Sequence, residues 1–185
     1  MTVKRGVYVP LGLEGYELCH PVRQDDFERI NVEINGTPRA CDWKLIPVRL
    51  VREDQRLELL SSDSPWLGSH ALIFRARAVE LLGTLLGEYG ELLPLGCSDA
   101  DVLIYNPIRV IDALDEGMSS VLRFSDGRIM MIKRHVFRHD IVQDVDVFKI
   151  PYLRVSPTFV SQRFIEVWEA SGLKGLEFKE VWAPN

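Results

Sequence analysis

The sequence predicts an α+β fold in which a mostly antiparallel or mixed sheet carries two principal amphipathic helices. Three observations lead there. Residues 74–95 and 156–178 each read as a short amphipathic helix, a glycine break and a brief apolar run. Residues 101–148 read as successive β runs separated by turn residues. The strand runs outnumber the helices and do not alternate regularly with them, which argues against a doubly wound parallel sheet.

In chain order, VKRGVYV (3–9) and WKLIPVRLV (43–51) have β-branched and aromatic strand character. RLELL (56–60), after the polar REDQ, reads as the return strand of a hairpin. Asn35-Gly36, flanked by NVEI and TPRA, is a two-residue turn signal. Residues 63–68 form a connecting turn, because Pro65 fixes φ and Gly68 frees it. Val79, Leu82, Leu85, Leu86 and Tyr89 then fall on one helical stripe that Gly87 or Gly90 ends, and ELLPL follows as a short strand. VLIYN, SSVLRFS, RIMMIKRHVF and DVFKI are strands, the middle two joined through Ser125-Asp126-Gly127. Ser161 caps the second helix, with Val160 and Ile165 at hydrophobic-staple spacing. The stripe of that helix is Val160, Phe164, Val167 and Trp168, Gly172 closes it, and LKGLEFKEVW is the last strand.

Length and composition narrow the class. At 185 residues, with no Gly/Ser or Pro linker, the chain reads as one domain over 1–185, residues 1–62 forming an irregular N-terminal lobe. An apolar share of 46% with 26% charge is that of a soluble globular protein, not a disordered one. A net charge of −5 has the wrong sign for a general nucleic-acid binder. The N-terminal apolar stretch is broken by Pro10, Gly12 and Glu14, so neither a signal peptide nor a membrane span is expected. Cys19, Cys41 and Cys97, odd in number and widely spaced, suit reduced thiols in the cytoplasm.

The search for chemistry finds little. His135 and His139 have metal-pair spacing, and Asp140 follows. Lys133, Arg134 and Arg138 would repel a cation there, and the zinc-motif glutamate is missing, so the pair reads as exposed strand histidines. Cys19 and His20 are adjacent, but neighbours on an extended segment point apart; Cys97 would need distant His70 or His135. No phosphate loop, dinucleotide fingerprint or nucleophile elbow occurs. No catalytic residue, cofactor or metal is expected. The densest charge lies in 96–118, where Asp99, Asp101, Asp112, Asp115 and Glu116 oppose Arg109 alone for a net −4. Residues 121–140 carry five cations against two carboxylates, a net +3. The acidic set is solvated turns and strand faces, a patch for protein recognition, or paired carboxylates for glycoside hydrolysis, for which no aromatic-rich subsite is visible. Trp66, in a polar turn, is either exposed or a lid over the core. Trp66, Asp99, Asp101, Asp112, Asp115 and Glu116 are the candidate partner-binding residues.

The order of landmarks is more specific than any single motif. Asp63-x-Pro65 precedes a helix with Arg77-Ala78 and Leu81-Leu82, then Glu91-Leu-Leu-Pro94-Leu95 and Tyr105-Asn106. Val110-Ile-Asp112-Ala-Leu114-Asp115-x-x-x-Ser119, Val147-Phe148-Lys149-Ile150, Val160-Ser161-x-x-Phe164 and Gly172-Leu-x-Gly175-Leu176-x-Phe178 follow. This series resembles the bacterial immunity-protein family numbered eleven in the polymorphic-toxin classification, over residues 40–182 and most fully over 63–178. The resemblance implies a cytoplasmic protein that neutralises a cognate toxin, encoded nearby, by direct contact and without catalytic residues. Arg75 departs from the family, whose members often place Ser near the start of the first helix. Two other readings stay open: a small enzyme that reverses or intercepts toxin damage, and a non-catalytic adaptor of a secretion system.

Overall fold

Alternating burial along the strands sorts this protein into layers, as the computed structural model of residues 6–153 and 155–184 shows. Residues 3–5 of the first predicted strand lie outside the described residues. The chain begins with β1 (Val7–Gly12) and β2 (Leu18–Pro21), then α1 (Asp25–Glu33) and β3 (Val48–Val51). A small hairpin of β4 (Glu53–Asp54) and β5 (Leu57–Glu58) follows, turning on Gln55 and Arg56 at positive φ. Next come β6 (Ile73–Arg75), α2 (Ala76–Tyr89), β7 (Gly90–Pro94) and β8 (Val102–Pro107). The β9 (Ser120–Arg123) and β10 (Ile129–Arg134) hairpin leads to the one-turn α3 (His139–Val142) and β11 (Val147–Phe148). β12 (Phe159–Ser161), α4 (Gln162–Ala170) and β13 (Leu176–Trp182) end it.

The paired strands are antiparallel, which makes the fold α+β as the sequence predicts. Both helix–glycine–strand stretches turn out to be β-α-β units split by an inserted strand. In the first, β6 and β7 both run antiparallel to β8, which lies between them. In the second, β12 and β13 both run antiparallel to β1, which lies between them, and β11 extends the sheet beyond β12.

Neighbouring strand residues face opposite sides, so each sheet has two covered faces. Phe74 and Tyr105 of the first sheet and Val147 and Val160 of the second face one shared core with Leu82 and Leu86 of α2 and Phe164 and Trp168 of α4. Ile73 and Ile104 face the other way, onto Ile30 and Ile34 and onto Val48 and Leu50 of β3. Phe148, Phe159 and Val7 likewise face outward in the second sheet, onto Ile129, Phe137 and Val142. The order is N-terminal segment, first sheet, two helices, second sheet, hairpin region. Residues 1–62 are divided between these layers: β1 is the inner strand of the second sheet, while β2, α1 and β3 cover the first.

One predicted stretch differs. The residues before Asn35-Gly36 form α1, as long as α4, where the turn signal suggested an extended flank. Asp25, Asp26 and Glu28 suit its first turn, Arg29 bonds Glu33 one turn on, and Ile30 supplies its buried anchor. The turn itself forms, with Gly36 at φ +92.

Candidate functional site

The candidate contact residues separate into three places. Trp66 lies half-buried across Gly12, where an added Cβ would come within 2.5 Å of the indole Cγ. Its carbonyl accepts from the Cys19 amide at 2.9 Å, and its ring packs on the shared helical core. The lid reading therefore describes its backbone and one ring face. Asp99 and Asp101 sit in the exposed connection from β7 to β8. Asp99 accepts from Ser98 Oγ at 2.7 Å and lies 3.5 Å from Arg52. Asp101 has no hydrogen bond or ion pair among the described residues.

Asp112, Asp115 and Glu116 lie elsewhere, beside the β9–β10 hairpin, and are already engaged. Arg138 stands 3.3 Å from Asp112, Arg123 bonds Glu116, and Asp115 accepts from the Met118 amide at 3.1 Å. The acidic and basic windows thus meet each other in the fold. These are exposed pairs, each contributing about 0–1 kcal/mol.

The candidate chemistry does not converge. Cys19 is fully buried, and burial pushes its thiol up to about 12. His20, next along β2, packs edge-on to Phe27 and has its pKa lowered by burial and then by Arg49. Cys97 is half-buried near Cys19, whereas His70 belongs to the loop over Lys149 and is held down to about 4, chiefly by burial. His135 is no exposed strand residue. It lies past the end of β10, half-buried, stacked on Phe137 at 5.8 Å and edge-on to Phe159 at 5.7 Å. Burial lowers its pKa, with help from Lys179. His139 is exposed at the start of α3, beside Trp182. Among the described residues no three His, Cys, Asp or Glu side chains gather as metal ligands would.

Several landmark residues prove to be clamps between segments. Asp63 accepts from Arg77 Nη1 at 2.8 Å and from the Lys174 amide at 2.8 Å, tying the two β-α-β units together. Glu91 accepts from the amides of Arg39 and Ala40 and from Asn106 Nδ2, which also donates to Thr37 O. Ser161 caps α4 through the Phe164 amide and donates to buried Asp146, whose other oxygen takes Arg163 at 2.6 Å.

Three buried charges escape sequence reasoning. Glu17 takes Arg75 at 2.5 Å, the Ser62 amide at 3.0 Å and Arg52 at 3.5 Å. Asp146 is the second. Lys149, only 2% exposed, donates to His70 O at 2.7 Å and Ser156 O at 2.9 Å, and burial holds its ammonium down to about 7. A lysine within the apolar run DVFKI was the one visible signal for it.

Two surfaces remain. A cleft of about 670 Å³ lies between α4 and β13, with Ile165, Trp168 and Phe178 among its lining and Glu169, Lys174 and Glu177 at hand. The other is the outer face of the β9–β10 hairpin. Val121 and Ile132, opposite each other, pack inward, while Leu122 and Met131, also opposite each other, are exposed. A register shift between Ile129 and Met131 leaves Met130 exposed as well.

Comparison with known proteins agrees with the landmark order. Residues 96–183 match the model of the Immunity protein family (Imm11), the family that the landmarks resemble. The matched span runs from β8 through β13, so the landmarks at 63–95 lie outside it. No curated protein matches the chain.

Proposed function

We propose that this chain is a cytoplasmic immunity protein of a polymorphic toxin system, which binds a toxin encoded beside it and neutralises it by direct contact. The observation that carries this reading is the family match across β8–β13, which includes the hairpin and the whole second unit. The buried titratable groups favour a binding protein over a small enzyme. Cys19 and Tyr105 lie in separate packed cores, and Lys149, bonded to two backbone carbonyls, lines a cavity of about 100 Å³ that neither of them lines.

A neutralising contact of the usual size covers about 1,200–2,000 Å² around a few buried anchors. Within it we assign Asp99 and Asp101 the electrostatic part, since Asp101 has no cationic partner among the described residues and Asp99 has only the exposed Arg52 at 3.5 Å, with Trp66 as an aromatic contact. Asp112, Asp115 and Glu116 take the rim beside the hairpin. Reversing Asp99 and Asp101 to Lys should slow association several-fold at low salt, because complementary charge speeds encounter. An unchanged rate at low salt would remove these two residues from the contact.

The deciding experiment co-expresses the chain with the product of its neighbouring toxin gene. Growth rescue together with a stoichiometric complex on co-purification is the expected result. Rescue with no complex would favour an enzyme that reverses the damage.

A further inference from the structure

The β9–β10 hairpin is covered on one side only. Its inner face closes the core containing Ile129 and Phe137, and β9 and β10 pair with no other strand. Leu122, Met130 and Met131 are exposed on its strands, Met118 and Phe124 just outside them in the chain, and Tyr152 beside Ile129, together six of the fourteen large hydrophobic residues exposed among the described residues. Scattered exposed apolar side chains are ordinary, whereas a gathered set marks a contact surface. Three of the chain's four methionines are here, and methionine adapts its shape to a partner without losing apolar contact. Tyr152 stands 62% exposed on a backbone held at φ +70, its carbonyl accepting from the Ile129 amide.

Charge selects the occupant. Arg123 pairs with Glu116 and Arg128 with Asp126, so the unbalanced positive charge of this face is an island of Lys133 and Arg134. Lys133 is exposed and has no ion-pair partner among the described residues, and Arg134 reaches only the Met118 carbonyl. A second copy docking through the same face would set two such islands against each other, and juxtaposed like charges oppose association. An acidic partner surface meets no such barrier.

We propose that the outer face of this hairpin is the apolar centre of the toxin contact, and that the toxin meets it with an apolar patch edged by carboxylates. This rests on the direct-contact reading above. Leu122 and Met131 are the anchors, and Lys133 and Arg134 pair with the carboxylate edge.

The test measures binding of the full chain to a catalytically disabled product of the neighbouring toxin gene. The double variant Leu122→Ser with Met131→Ser should bind at least tenfold more weakly than wild type while melting at the same temperature. Leu81→Ser, at an exposed position on α2, is the control and should bind as wild type does. If the double variant does not fold, Met130→Lys replaces it and should show the same direction of effect. Wild type binding and the hairpin variants binding equally well would overturn this inference alone. Wild type forming no complex would overturn the direct-contact reading with it. A wild-type dimer in light scattering that the hairpin variants convert to monomer would make the face a self-association surface and overturn the inference as well.

Discussion

The two split β-α-β units share a frame and differ in what closes it. In the first, α2 runs straight into β7, and the inserted strand β8 follows within the next dozen or so residues. In the second, residues 171–175 separate α4 from β13, and the inserted strand β1 comes from the other end of the chain. The starts of the helices differ too. Ser161 caps α4 with its own hydroxyl, whereas Arg75 at the start of α2 makes no cap and sends its guanidinium to buried Glu17. One helix start is thus capped by its own residue and the other is tied to a distant carboxylate. That difference explains why the stretches look repeated in sequence although their connections do not match.

The comparison breaks most sharply at Arg75. Arg75→Ser supplies the missing cap, yet it removes the closest partner of a carboxylate only 1% exposed. Losing one member of a largely buried pair outweighs a cap of about 1 kcal/mol, so the variant should lose roughly 2–3 kcal/mol in urea unfolding. A more stable variant would mean that Glu17 does not depend on the pair.

Gly175 tests the longer connection. Its φ of +105 suits glycine, and an added Cβ would overlap Ser62 Oγ. Gly175→Ala should cost about 2 kcal/mol, and about half of that should return in a Ser62→Gly background, because the steric part is then relieved. Strict additivity of the two changes would show that the backbone angle alone carries the cost.

The buried cation of the second half predicts a rise of stability with pH above about 7. Lys149 is held down to about 7 by burial, against 10.5 ordinarily, so between those values the unfolded chain binds the extra proton. Stability should therefore rise with pH from about 7 upward, by up to about 1 kcal/mol per unit, relative to Lys149→Met. Below 7 both states are protonated and the difference levels off. Parallel urea midpoints for the two proteins at pH 7 and pH 9 would contradict this. Last is Ser161→Ala, expected to cost about 1–2 kcal/mol because the Phe164 amide and buried Asp146 both lose a partner. A melting curve that does not shift would assign α4 to packing alone.

What was legible in the sequence was local. The stripe from Val79 to Tyr89, the Ser161 cap and the turn through Gly127 follow from spacing within a few residues, and each stands where it was expected. Helix α1 was hidden because its anchors are few and Asn35-Gly36 draws the reading towards an extended flank. The burial of Glu17, Asp146 and Lys149 depends on partners from 7 to 79 residues away, which no window reveals. Summation of charge along the chain does not say that Glu116 and Asp112 meet Arg123 and Arg138. The apolar face of the hairpin was visible only as strand composition, since which methionines point outward depends on a register shift.

The position of β1 has a consequence for how the protein is made. The first sheet can close once residue 107 has emerged, but β1 is synthesised well over a hundred residues before its neighbours β12 and β13. At ribosomal speeds of about 5–20 residues per second, this strand waits roughly 10–30 s for its partners. A nascent or truncated chain therefore exposes a strand with two open edges, and the second sheet closes only when translation reaches the last strand.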